Sequence, residues 1–257
     1  MNITEYAVYK KLFGGGAGGN TGGGGNTGGM DEVIASYISI VDGTLTDLVL
    51  PYGLTEIKTE FCRGNRNLVS AVIPDTVEII NSNAFYQCSN LSLTKLPASL
   101  KSVGNGAFRE CSKLTATELP DSLVTTGDTC FFSSGLALTK LPNKLVKIAP
   151  SAFGGCPNLK ISEIPKSVSE IGSYAFNSCT GIEEMTMHSP LMVYDYAFVS
   201  CTGLKKVTID GKITLGSNTF SGCTNLNIIN VAWAEGEVSG APWGATNATI
   251  NYNYTGG

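Results

Sequence analysis

The stretch Val103-Gly104-Asn105-Gly106-Ala107-Phe108-Arg109-Glu110-Cys111 returns further along the chain as Ile171-Gly172-Ser173-Tyr174-Ala175-Phe176-Asn177-Ser178-Cys179. Both copies run from a β-branched residue and a glycine to Ala-Phe, then to a cysteine three residues later. Working outward, the phenylalanines fall at 61, 85, 108, 131, 153, 176, 198 and 220, with 22 to 24 residues between neighbours. A second marker keeps step: Leu45, Leu68, Leu91, Leu114, Leu136, Leu159, Ile182, Leu204 and Leu226 each open a segment such as Leu45-Thr46-Asp47-Leu48-Val49-Leu50-Pro51. Prolines 51, 74, 97, 120, 142 and 165 close that segment, and His188, Asp210 and Ala232 stand at the corresponding place later. A fixed period of this length is the mark of stacked repeats.

A unit this short cannot bury a core alone, so each coil must cover the next. The apolar residues before the proline, and those before Gly104, Gly127 and Gly172, predict two short strands per coil, stacked in parallel ladders about 4.8 Å apart. Proline ends the first strand because it has no N–H to donate. The glycines supply a turn where a side chain would obstruct. The Asn or Gly before each leading residue (Asn67, Asn90, Gly135, Asn158, Gly181, Gly203, Asn225) is expected to be left-handed. Phe61, Phe85, Phe108, Phe131, Phe153, Phe176, Phe198 and Phe220 form the expected inner spine, each ring contributing about 1.5–3 kcal/mol by burial.

The joint A-F-x-x-C and I-P signatures, over about residues 45 to 232, closely resemble the BspA-like class of leucine-rich repeat. The resemblance implies an α/β-type repeat solenoid. Its right-handed coil would stack parallel β-strands in about eight to nine repeats of 22–23 residues, with little regular helix. It also implies adhesion and protein recognition without catalytic residues. The chain departs from the pattern at Cys130 and Ser134 in the fourth unit, at Thr219, and at Glu60-Phe61-Cys62-Arg63-Gly64 in the first.

One column between the apolar residues of the first strand is expected to face solvent: Val49, Val72, Lys95, Glu118, Lys140, Glu163, Thr186, Thr208 and Asn230. Stacking would make Lys95, Glu118, Lys140 and Glu163 an alternating charge ribbon, each exposed pair contributing about 0.2–1 kcal/mol. Such a ribbon serves either register and solubility or ligand reading. Cysteines 88, 111, 156, 179, 201 and 223 share another column, without C-x-x-C or Cys/His spacing, and are expected to be buried free thiols filling apolar space. His188 is the sole histidine and reads as a turn residue, since a Ser/His/Asp set would need accidental partners. The glycine run has neither a preceding strand nor the Gly-Lys-Ser/Thr of a phosphate loop. No catalytic, cofactor or metal site is expected.

The 257 residues carry 17 Lys and Arg against 21 Asp and Glu, a net charge of −4, so nothing favours nucleic acid. Charged residues are 15% of the chain, below the typical value of about 25%, while 42% hydrophobic residues suffice for a core. No run of about 18 apolar residues predicts membrane insertion. The expected organisation is an N-terminal docking peptide (1–13), a glycine-rich tether (14–29) spanning about 20–25 Å, an N-terminal cap (30–44), the solenoid (45–232) and a C-terminal cap (233–257). In the last, Trp233, Trp243, Ile250, Tyr252 and Tyr254 suggest a final strand and aromatic lid. The N-terminus lacks the apolar core of a secretory signal, which points to a virion-associated or cytoplasmic protein ahead of a cell-surface one. The expected function is recognition of a protein or glycan, displayed on a phage particle through residues 1–13. A bacterial adhesin or scaffold is the alternative and an enzyme the remote one.

Overall fold

Pairs such as Ile79-Ile80 and Glu170-Ile171, with the second side chain buried and the first turned outward, recur once per coil. In a computed structural model that describes residues 43–50 and 52–256, these pairs stack coil upon coil. The chain is a parallel-strand solenoid of about nine turns, with strands and turns and no helix among the described residues. The expectations for residues 1–13, 14–29 and most of 30–44 fall outside those residues.

The pairs make one unbroken ladder of eight strands. Its members are β2 (Glu56–Ile57), β4 (Ile79–Ile80), β5 (Ser102–Val103), β6 (Thr125–Thr126), β7 (Lys147–Ile148), β8 (Glu170–Ile171), β10 (Met192–Val193) and β12 (Thr214–Leu215). The ladder formed by the segments before the prolines behaves differently. It has β1 (Asp47–Val49) and β3 (Ser70–Val72), stops, and resumes with β9 (Glu184–Met187), β11 (Lys206–Ile209), β13 (Ile228–Val231) and β14 (Thr249–Asn251). Two strands in every coil is therefore corrected, and the apolar phase gives the reason. Leu48/Leu50, Met185/Met187, Val207/Ile209 and Ile229/Val231 are buried pairs two residues apart, which a pleated strand places on one face. The third to sixth coils instead bury Leu93/Leu96, Ala116/Leu119, Leu138/Leu141 and Ile161/Ile164, three residues apart. A strand would send such a pair to opposite faces, so burying both bends the backbone out of the ladder. An isolated bridge between Glu163 and Thr186 marks where pairing resumes.

Inside the coil, Phe85, Phe108, Phe131, Phe153, Phe176, Phe198 and Phe220 are fully buried and stacked in order, with centroids 5.0 to 5.9 Å apart. Phe61 is not part of this column and is only partly buried. The backbone bonds explain why. Phe85 N–H donates to the Ala107 carbonyl, while in the first coil it is Cys62 N–H that donates to the Ala84 carbonyl. Cys62 thus holds the ring position, Phe61 the alanine position, and buried Asn65 the cysteine position, where its amide oxygen accepts from the Leu68 N–H.

The left-handed residues lie elsewhere than expected. They bracket the spine position two residues before and two after: Asn83 and Gln87 around Phe85, Tyr174 and Ser178 around Phe176, Asn218 and Gly222 around Phe220, all at φ 55–73°. The Asn and Gly before the leading residues do other work. Asn67, Asn90 and Asn225 donate their amides to carbonyls of the preceding coil at 2.7 to 2.9 Å. At Gly203 a Cβ would lie 2.0 Å from the Thr180 carbonyl oxygen, so that column admits glycine for want of space. At the far end, β14 pairs with β13, Trp233 and Trp243 meet edge to face at 6.3 Å, and the Phe220 amide donates to the Trp243 carbonyl.

Candidate functional site

The column that faces outward on the first ladder is built by register. Val49 pairs with Val72, Glu163 with Thr186, Thr186 with Thr208 and Thr208 with Asn230. Val49 and Val72 are 75% and 59% exposed, and Lys95, Glu118, Lys140 and Glu163 are exposed as well. Thr186 and Thr208 are half-buried. Asn230 is corrected as a face residue, for it is buried and its amide oxygen accepts from Asn251 Nδ2 at 2.8 Å.

The charge ribbon is corrected too. No ion pair joins Lys95, Glu118, Lys140 and Glu163 to one another, because the bent backbone of those coils breaks the pleat that would align them. Charges pair between coils in other columns: Lys101 with Glu78, Lys147 with Glu170, Lys205 with Glu183 and Lys206 with Glu184, at 2.8 to 3.5 Å. The Glu170 carboxylate raises the Lys147 pKa, and the Lys205 ammonium lowers that of Glu183. Among the described residues, Lys95, Glu118 and Lys140 make no side-chain hydrogen bond or ion pair.

His188 is more than a turn residue. Its side chain is 11% exposed and sits between two carboxylates, with Nε2 2.7 Å from Glu163 Oε1 and Nδ1 2.5 Å from Asp210 Oδ2. Three successive coils are clamped through one ring. The signal was present in the sequence, since His188 and Asp210 occupy the same place in successive repeats. A second row that sequence reasoning missed follows the spine by one residue. Arg63, Tyr86, Arg109 and Phe132 alternate cation and ring at 5.4 to 5.6 Å.

All eight cysteines are buried and free. They do more than fill space: Cys111, Cys179, Cys201 and Cys223 donate their thiols to the carbonyls of Phe85, Phe153, Phe176 and Phe198, each at 3.0 Å. Burial pushes the thiols of Cys62, Cys88, Cys111, Cys130, Cys156 and Cys179 up, Cys88 to about 12 and Cys156 to about 11, which removes their thiolates from nucleophilic chemistry, while the neighbouring Cys201 thiol lowers Cys223. Among the described residues no group of three His, Cys, Asp or Glu side chains could hold a metal ion, and no helix is long and apolar enough to cross a membrane.

A family model described as BspA type leucine rich repeat region matches residues 41–160 and 135–235, in six copies. No curated protein matches the chain. A solved structure with this winding is the leucine rich cell surface protein of Faecalibacterium prausnitzii A2-165, 26% identical, with a TM-score of 0.50 over 73% of this chain and 48% of that one. This chain therefore spans about half the length of that protein. Others are a leucine-rich repeat protein from Bacteroides ovatus ATCC 8483 (20% identity, TM-score 0.47, 80% and 69% covered) and the T. pallidum leucine rich repeat protein (26%, 0.47, 70% and 78%).

Proposed function

We propose a recognition role from a fixed premise: the chain belongs to the BspA-type leucine-rich repeat family. Solenoids of this kind are typically non-catalytic and bind protein partners through their stacked faces. Here the partner is a protein that lies along the exposed first-ladder column. The observation that carries this is the contrast in charge pairing. Lys101, Lys147, Lys205 and Lys206 each pair with a glutamate of a neighbouring coil, whereas Lys95, Glu118 and Lys140, exposed in three successive coils of this face, make no side-chain ion pair among the described residues. Charges left unpaired on a folded surface are free to pair across an interface, where they set register and approach rate. The exposed Val49, Val72 and Tyr52 at the first coils supply an apolar end to the same strip.

The finer reading is display on a phage particle, with residues 1–13 docking and the glycine-rich segment 14–29 holding the solenoid away from the assembly. The apolar residues of that short head, Ile3, Tyr6, Val8, Tyr9, Leu12 and Phe13, support it. A second reading, presentation on a bacterial surface, is favoured by the likeness to the F. prausnitzii cell surface protein. Mass spectrometry of purified virions and of cell envelopes separates the two by where the chain is found. For the recognition role, wild type, Lys95→Glu/Lys140→Glu and a Lys101→Glu control are immobilised and their bound proteins identified. A partner held by wild type and the control but lost by the double variant supports the role. Equal retention by all three overturns it.

A further inference from the structure

Two tyrosines stand where the winding strains a large side chain. Two places before each spine phenylalanine the backbone turns left-handed, and most coils meet that turn with a small or polar residue: Gly106, Thr129, Ser151 and Asn218 lie at φ 53–63°. Tyr174 and Tyr196 hold the same place at φ 59° and 60°, a conformation that costs a bulky side chain more than one ring stack offsets. Burial does not make up the difference, since Tyr174 is 42% exposed. The two rings stack at 5.1 Å, 4° from parallel, so Tyr196 of the seventh coil covers one face of Tyr174. The other face is turned to the fifth coil, where Ser151 stands in the column and brings no ring to meet it.

The place left open on that face is bordered by groups that reach solvent. At the spacing of the tyrosine stack, the next ring in the series falls over Ser151, with Thr129 one coil beyond. Both residues are half-buried, and their hydroxyls make no hydrogen bond among the described residues. Asp128, beside Thr129, is exposed, and its carboxylate is likewise without a partner among the described residues. A proline is the reason. In that column Asn105 Oδ1 accepts from the Asp128 amide at 2.9 Å, and Asp195 Oδ1 accepts from the Ser217 amide at 2.7 Å. One coil on from Asp128 stands Pro150, which has no N–H to give. Charge then narrows the ligand. Asp128 repels an anion, and the Lys147 ammonium, its pKa raised chiefly by Glu170 and further by Tyr194 and Asp128, is near enough to repel a cation. A neutral pyranose fits what is left, because its polarised C–H bonds settle on the negative face of a phenol ring while its hydroxyls meet a carboxylate and two alcohols. We propose that the free face of Tyr174 is a sugar platform, stacking one neutral pyranose of a glycan over Ser151, with ring hydroxyls donating to Asp128 and bonding to Ser151 and Thr129. This goes beyond the protein-recognition reading and does not rest on it, for none of these residues belongs to the first-ladder column.

The test titrates the full chain into the millimolar range with methyl β-galactoside and methyl β-glucoside, following backbone amide shifts by NMR, with sorbitol and tetramethylammonium as comparators. Sorbitol offers hydroxyls without a ring face, and tetramethylammonium offers the ring a charge without hydroxyls. Saturable shifts at residues 128, 129, 151 and 174 with at least one glycoside, about ten-fold or more tighter than either comparator, are the expected result. Tyr174→Phe keeps the ring and should hold the glycoside affinity within about three-fold. Tyr174→Asn installs the residue type that Asn218 carries in the same column, so the left-handed turn and the fold are kept, while glycoside affinity should fall about ten-fold or more. Absence of saturable shifts with both glycosides, equal or tighter binding of sorbitol or tetramethylammonium, or unaltered affinity in Tyr174→Asn would each overturn the proposal. The Lys95→Glu/Lys140→Glu variant should keep the glycoside shifts, so this proposal and the protein-recognition reading fail separately.

Discussion

Phe153 and Phe176 lie face to face, their ring centroids 5.6 Å apart and their planes 6° from parallel. Each ring covers the next in a column of seven, so removing one uncovers two neighbours. Phe153→Ala should cost about 3–5 kcal/mol, measured as the loss in unfolding free energy summed over the steps of a urea titration. Because coils are stabilised mainly by adjacent coils, the curve for this variant should also split into two steps. Phe61→Ala, outside the column and only partly buried, should cost less than about 1.5 kcal/mol. Equal losses would place Phe61 back in the spine.

The cysteines yield a second prediction. With all eight free and buried, native protein should resist a thiol reagent, and denaturation without reductant should release eight reactive groups. The pH dependence follows from burial. Cys88 and Cys156 are pushed up to about 12 and about 11 from an ordinary 9.0. The unfolded chain therefore loses these protons at lower pH than the folded one. Their contribution is fully present below pH 9.0 and is lost as pH rises through 11 and 12. Melting temperature should fall between those limits, and less steeply in Cys88→Ala/Cys156→Ala. Identical slopes would mean that other groups set the alkaline limit.

The repeat and its spine residues were legible in the sequence because a period survives any single substitution. Local geometry was harder to read, for two physical reasons. Asn and Gly occur both where φ is positive, as at Asn83 and Gly222, and where a neighbouring coil leaves no room or offers a carbonyl, as at Gly203 and Asn225. Composition alone does not separate those causes. A consensus that requires only a final apolar residue before the proline also hides whether the preceding one is two or three positions back, and that shift decides where the first ladder exists.

That phase rule can be tested by a swap. Ile161→Ser/Ser162→Ile moves the buried residue of the sixth coil from three to two positions before Ile164, the spacing of Met185 and Met187. The double variant should stay within about 1.5 kcal/mol of wild type and gain hydrogen-exchange protection at residues 162 and 163. Ile161→Ser alone should cost about 2–5 kcal/mol. If the swap is as costly as the single substitution, the phase of the apolar residues does not set the ladder.

His188 lies at the point where the first ladder resumes, and its two carboxylate partners make that position measurable. Glu163 pairs with Thr186 as the first bridge, and the Ile164 amide donates to the Thr186 carbonyl at 2.9 Å. Holding Glu163 through Nε2 and Asp210 through Nδ1, the imidazole pins the sixth, seventh and eighth coils in one register. His188→Leu keeps side-chain bulk and removes both contacts, so the expected change is local. Exchange at the Ile164 and Thr186 amides should quicken while the Phe153 amide, inside the spine, stays protected. A double-mutant cycle of His188→Leu with Asp210→Asn should return a coupling of about 0.5–3 kcal/mol, the range for residues in direct contact. A coupling near zero, with exchange at Ile164 unaltered, would show that the ladder resumes on the apolar pattern of Met185 and Met187 alone.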